Sequence, residues 1–164
     1  MTENPHSTAP RVLFVCLGNI CRSPAAQAVT GHLADRAGLD VELDSAGTGA
    51  WHLGEPPDRR MQAVARKGGY DLSAFRARQF GEEDFDRFDL ILAMDRKNQA
   101  DIEALRPAGA STPVRLFLSY GPSERVDVPD PYYDGGFDVV LRLLEHAAMG
   151  LLSELRAAGP IRRP

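Results

Sequence analysis

The run Arg11-Val12-Leu13-Phe14-Val15-Cys16 constrains the fold more than any other stretch, because it is apolar at successive positions rather than alternate ones. A strand with two apolar faces must be covered on both, which is the condition of a parallel sheet between helices. A helical pattern follows from about Ser23: Pro24 suits the first helical position, where its missing N–H costs nothing, and Ser23 is a natural N-cap. The alternation then repeats. Residues 41–46 read as a second strand, 58–67 as a helix ended by Gly68-Gly69, and 88–94 as a third buried strand leading through Asp95 into a helix that stops before Pro107. Residues 114–118 read as the fourth strand. In the last helix Phe137, Val140, Leu141, Leu144, Ala148, Leu151, Leu152 and Leu155 recur at three- and four-residue steps and form one apolar face.

These elements predict one α/β domain over residues 11–158, with polar, proline-bearing tails at 1–10 and 159–164. A length of 164 residues suits a single core. The formal charge of -4 gives no basic field for nucleic acid, and no apolar stretch approaches the roughly 20 residues of a membrane span. The expectation is a cytoplasmic protein without nucleic-acid or membrane partners. Cys16 and Cys21 fit neither a disulfide framework nor a zinc spacing, and His6, His32, His52 and His146 are scattered. No metal and no cofactor is expected.

In folds of this kind ligands bind where strand C-termini meet helix N-termini. The junction here is Cys16-Leu17-Gly18-Asn19-Ile20-Cys21-Arg22-Ser23. A cysteine and an arginine at this spacing are a weak signal alone, since arginine is common in the chain; the strand-to-helix setting gives it weight. Such a loop turns successive backbone N–H groups inward beside a helix terminus, a cradle for a tetrahedral oxyanion. Gly18 and Asn19 tolerate the left-handed conformations it needs, and Arg22 offers a planar fork for two phosphate oxygens. A thiolate is the reactive form of cysteine. A helix terminus supplies at most about 2 kcal/mol towards it, so Arg22, the loop amides and the Ser23 hydroxyl must contribute as well. The plain alternative for Cys16 is a buried core thiol at a strand end.

Phosphoryl transfer to a thiolate also requires an acid for the leaving oxygen. Asp130 is the candidate, in Asp127-Val128-Pro129-Asp130-Pro131-Tyr132-Tyr133, a loop stiffened by two prolines. Spacing alone reads equally well as an ordinary Asp-Pro turn with exposed tyrosines. Cys21 has no assigned step; it is an inert thiol or a partner for a protective disulfide with Cys16.

Residues 15–24 (VCLGNICRSP), 44–48 (DSAGT) with Trp51 and Gly54, 94–98 (MDRKN) and 130–133 (DPYY) occur in the order found in low-molecular-weight protein tyrosine phosphatases, which the chain resembles over nearly its whole length. The resemblance implies a four-stranded parallel sheet with helices on both faces, metal-free catalysis and a phosphocysteine intermediate. It implies Cys16 as nucleophile, residues 17–22 as phosphate loop and Arg22 as clamp, with Ser23 steadying the thiolate and Asn19 holding the loop's shape. Asp130 would protonate the phenolate and then activate water, while Trp51, Tyr132 and Tyr133 would wall the cleft. The implied substrates are phosphotyrosine proteins, a tyrosine kinase among them.

The chain departs from the family pattern at Gly68 and Phe75, where histidines are common, at Gln27, and in a short 133–137 segment. A histidine at position 68 would support the loop asparagine, so weaker support of Asn19 is expected. Arsenate reductases share the fold and first loop but use later cysteines, which this chain lacks. Phosphoarginine phosphatases tend to carry threonine where Ile20 stands. A silent phosphate-binding module would not need both Cys16 and Asp130, and a thiol regulator would exchange thiols without hydrolysis.

Overall fold

A computed structural model describes residues 8–161. Four strands, β1 (Arg11–Cys16), β2 (Glu42–Gly47), β3 (Leu90–Ala93) and β4 (Val114–Leu116), form one parallel sheet in the order β2-β1-β3-β4. The helices are α1 (Arg22–Ala37), α2 (Arg59–Lys67), α3 (Asp84–Arg87), α4 (Arg96–Glu103), α5 (Pro131–Asp134) and α6 (Phe137–Ala158). The double apolar face of β1 has its expected use. Val12, Phe14 and Cys16 join a core with Ala25, Met61 and Leu144 of α1, α2 and α6. Leu13 and Val15 join a second core with Phe85 of α3 and Ile102 of α4. Phe14 is fully buried and meets Phe117 edge-on, with ring centroids 5.2 Å apart; its loss to alanine would cost about 3–5 kcal/mol.

The expected fourth strand stops two residues early. Phe117–Tyr120 is a 3-10 turn, and both Phe117 and Leu118 enter the α1/α2/α6 core. In a strand neighbouring side chains face opposite sides, so two consecutive core residues on one side require the chain to leave the ladder. The third strand pairs only over Leu90–Ala93, although Phe88 and Met94 remain core residues. The short α3 and α5 were not anticipated; in α5, Pro131 takes the first position and the Asp130 side chain caps it. Residues 1–7 and 162–164 of the expected tails lie outside the described residues. Their inner ends are packed: Ala9 and Pro10 are buried, and the Ile161 N–H donates to the Thr8 carbonyl at 2.9 Å.

Because all four strands run the same way, their C-terminal ends lie on one edge of the sheet. The chain from β1 leads to α1, and the chain from β3 leads to α4 on the opposite face. That divergence opens a crevice beyond Cys16 and Met94.

Candidate active site

β1 delivers Cys16 to the rim of the sheet, and the following loop wraps its sulfur. The Asn19 N–H donates to Cys16 Sγ at 3.3 Å, and Ser23 Oγ lies 3.1 Å from the same sulfur. Ser23 does not cap α1; the cap position is Cys21, and no side chain bonds there. Asn19 Nδ2 donates to Ser23 Oγ at 2.8 Å, so the serine's own proton is free to go elsewhere. Its alternative acceptor, the Ala46 carbonyl, is 3.4 Å away, a weak hydrogen bond. The proton is therefore best placed on the sulfur when that is a thiolate.

Asn19 is the one non-glycine residue of positive φ, 57°, among the described residues. Its side chain is saturated: Nδ2 also donates to Ser45 Oγ at 3.0 Å, and Oδ1 accepts from the Arg78 N–H at 3.0 Å. These three bonds support Asn19 without a histidine at position 68. Gly68 sits at the end of α2 near Tyr70 and Leu141, where a histidine side chain would meet a packed core rather than the loop. Gly18 does not adopt the left-handed conformation it could tolerate; a Cβ there would stand 3.1 Å from the His52 ring, close enough that the ring would have to give by a few tenths of an ångström.

Arg22 is buried and held from two sides. Its NH1 donates to Asp95 Oδ2 at 2.7 Å and to the Val128 carbonyl at 2.9 Å, while NH2 lies 3.5 Å from Asp130 Oδ2. Burial works against the guanidinium charge, but Cys16, Asp95 and Asp130 outweigh it, and the arginine's pKa is raised. Asp95 performs a second task, accepting the Asn98 N–H at 2.7 Å as N-cap of α4. Its pairing with Arg22 went unforeseen, although it stands at a strand end facing the same crevice.

The loop carrying Asp130 lies across the crevice. The Val128 N–H donates to the Met94 carbonyl at 2.8 Å, and Arg96 holds Asp127 through its N–H and its guanidinium. Asp130 Oδ1 accepts the Tyr132 N–H at 3.1 Å. Arg60 straps the far side. It forks onto Asp58 and donates to the Tyr132 carbonyl at 3.1 Å, with its guanidinium 4.8 Å from the centre of the Phe137 ring. The Asp58 N–H in turn donates to the Ile20 carbonyl at 2.8 Å, so one dipole-and-charge chain links the two loops.

A cavity of about 440 Å³ results, lined by Cys16, Leu17, Gly18, Ile20, Cys21, Arg22, Trp51, His52, Asp130, Tyr132 and Tyr133. Asn19 and Ser23 stand behind it as supports. Trp51 and Tyr133 are 72% and 86% exposed, so they form a rim rather than a packed wall. His52 was not foreseen; Nδ1 is 2.7 Å from Glu55 Oε2 and its ring is 6.0 Å from that of Tyr132. Both cysteines are free. Burial, helped by Asp58, Cys16 and Asp130, pushes the Cys21 thiol well up, which makes it a poor nucleophile. No group of three His, Cys, Asp or Glu among the described residues is arranged to hold a metal ion.

A family profile described as low molecular weight phosphotyrosine protein phosphatase matches residues 11–160. A low molecular weight protein-tyrosine-phosphatase of Streptomyces coelicolor is 47% identical over 154 residues, 89% of this chain and 93% of that protein. The crystal structure of YfkJ from Bacillus subtilis superposes with a TM-score of 0.88 at 39% identity, covering 93% of this chain and 98% of that one. A protein tyrosine phosphatase from Entamoeba histolytica, crystallised with Hepes in its active site, gives 0.87 at 36% identity over 92% and 99% of the two chains.

Proposed function

The chain belongs to the low molecular weight phosphotyrosine protein phosphatase family, and within it we propose that Cys16 is the nucleophile, Arg22 the phosphate clamp and Asp130 the proton donor for hydrolysis of phosphotyrosine in proteins. The observation that carries this reading is the meeting in one cleft of a sulfur held by Ser23 and Asn19 with an arginine that also reaches Asp130. Phosphate would sit on the loop amides of residues 17–22. Both NH1 hydrogens of Arg22 are engaged by Asp95 and Val128, so Nε–H and NH2 supply the fork for its oxygens.

In the first step Cys16 Sγ attacks phosphorus in line with the tyrosyl oxygen. The S–P bond forms as the P–O bond breaks, and Asp130 gives its proton to the departing phenolate. In the second step water attacks the phosphocysteine, the Asp130 carboxylate takes a proton from it, and the S–P bond breaks. The returning thiolate is met by the Ser23 hydroxyl and the Asn19 N–H, donors already in position before charge develops.

Ile20 favours aryl over guanidino phosphate, because it presents an apolar branched side chain to the cavity with no hydroxyl to bond a guanidinium. The open rim of Trp51, Tyr132 and Tyr133 suits a ring delivered on a protein surface, and we infer phosphotyrosine proteins, a tyrosine kinase among them, as substrates. A reactive thiol beside a second free one suits a reducing compartment, which supports action in the cytoplasm. We assign the activity to one unit over residues 11–158, since both cores share the single sheet. No helix among the described residues is long and apolar enough to cross a membrane.

The test is hydrolysis of an aryl phosphate, phosphotyrosine and phosphoarginine across pH 4 to 8 with chelator present. Turnover of the first two, with label trapped on Cys16 by acid quench, is expected. An inert wild type that still binds phosphate would replace this reading with a silent binding module.

A further inference from the structure

Two of the three partners that hold the Asn19 side chain in its left-handed conformation are hydroxyls of Ser23 and Ser45, beside the loop itself. The third is the backbone N–H of Arg78, from a segment without regular secondary structure apart from one bridge, Gln79 to Gly47. A backbone donor can hold a strained residue only if its own segment is fixed. The Gly47 N–H donates to the Arg78 carbonyl at 2.9 Å, and the Phe80 N–H to the Gly47 carbonyl at 2.7 Å. Gly47 also rides directly on the loop: a Cβ there would stand 2.8 Å from the Leu17 carbonyl oxygen and 3.1 Å from Asn19 N. The segment and residues 17–19 thus meet through Gly47.

The Arg78 side chain supplies the remaining constraint. Nε donates to Asp44 Oδ2 at 3.1 Å on β2, NH1 to Asp84 Oδ2 at 3.1 Å and NH2 to Asp84 Oδ1 at 3.0 Å. Asp84 is fully buried, and its remaining bond is from the Gly81 N–H at 2.9 Å. A buried carboxylate paired two-to-two with a guanidinium has one satisfactory geometry, and removal of the cation would leave the charge uncompensated.

We propose that Arg78, bracketed by Asp44 and Asp84, is a positioning residue for the phosphate loop. It acts through its own N–H on Asn19, and through Asn19 on the amide that meets Cys16 Sγ. The inference rests on the phosphatase reading for its catalytic consequence but not for its effect on phosphate binding. It places part of the determinant of phosphate affinity on the face of the sheet carrying α3, away from the substrate rim.

The test is a double-mutant cycle of Arg78→Lys and Arg78→Met with Asn19→Ala, measuring kcat, KM and inhibition by inorganic phosphate, with thermal melts to correct for folded fraction. Arg78→Met is expected to weaken phosphate inhibition and lower kcat/KM by about tenfold each, with Lys intermediate and little further loss when Asn19→Ala is added. Where Arg78→Met does not fold, Asp44→Asn, at the half-exposed arm of the bracket, carries the same cycle. Additive effects, or a lowered Tm with unchanged phosphate inhibition and kcat/KM, would overturn the proposal. If wild type proves inert but binds phosphate, the cycle read on phosphate affinity by calorimetry still decides it, separately from the failure of the phosphatase reading.

Discussion

The loop at residues 16–23 and the loop at 127–134 face each other across one cavity and are built in opposite ways. In the first, Cys16, Asn19, Arg22 and Ser23 are buried and bonded to one another, to β2 or to the neck of β3. In the second, Asp130 keeps 39% of its side-chain surface and Tyr133 is almost wholly exposed. The loop carrying Asp130 is attached at a few points: Val128 to Met94 and Arg22, Asp130 to Arg22, Asp127 to Arg96, and Tyr132 to Arg60. Binding an oxyanion needs donors aimed in advance, and rigidity serves that. A proton donor must admit an aryl group and release it, which a dense network would hinder. Affinity for phosphate should therefore reside in the first loop and rate in both.

The largest test of that division is Cys16→Ser. Turnover should fall by at least about 10⁴-fold while phosphate remains bound, because the cradle is made of backbone and Arg22. Asp130→Ala should come next, lowering kcat by roughly 10²–10⁴-fold and removing the limb of the pH profile that reports the acid. Phosphate inhibition measured alongside should stay near wild type; an equal loss in both would break the comparison. Arg60→Met, which cuts the strap at a residue that does not itself line the cavity, should lower kcat by roughly tenfold with KM little changed.

The smallest effect is on stability. Asp58 caps α2 and links the two loops, and Asp58→Ala should cost about 1 kcal/mol through the cap alone, read as a lower Tm at pH 7. Its carboxyl titrates below the ordinary range, chiefly because the Arg60 side chain donates to it, with burial opposing. A folded value below the unfolded one of about 3.9 means the contribution is complete above that pH and lost as pH falls through the folded value. The Tm gap between wild type and variant should thus persist at neutral pH and narrow as acid takes the solution below the ordinary carboxylate range. A gap that widened in acid would show that the Asp58 carboxylate is not its source.

Much of this was legible in the residues. The unbroken apolar run of β1 required cover on both faces, and the periodicity from Phe137 onward gave α6. Cys16, Arg22 and Asp130 were picked out by a strand-to-helix turn, a spacing and a family likeness, and the structure brings them to one cavity. What escaped notice shares a physical origin. Asp95 meets Arg22 across 73 positions of sequence and Arg78 meets Asn19 across 59, and no local pattern encodes such contacts. Serine at a helix start has two possible uses, and both were read for Ser23; the cap falls at Cys21 instead, while the hydroxyl lies beside the Cys16 sulfur. The inner parts of the expected tails look polar in sequence, yet Thr8, Pro10 and Ile161 are tied down by backbone bonds that any residue could make.

That meeting of Thr8 and Ile161 has a bearing on how the chain's order relates to its chemistry. The two residues lie where β1 begins, the edge of the sheet opposite the cavity, and the exposed turn at Gly109 precedes β4 on that same edge. A circular permutant joined between residues 8 and 161 and opened at Gly109 would keep every strand-to-helix crossing that frames Cys16, Arg22 and Asp130. The edge that bears the cavity depends on which strands neighbour one another, and not on which of them is synthesised first.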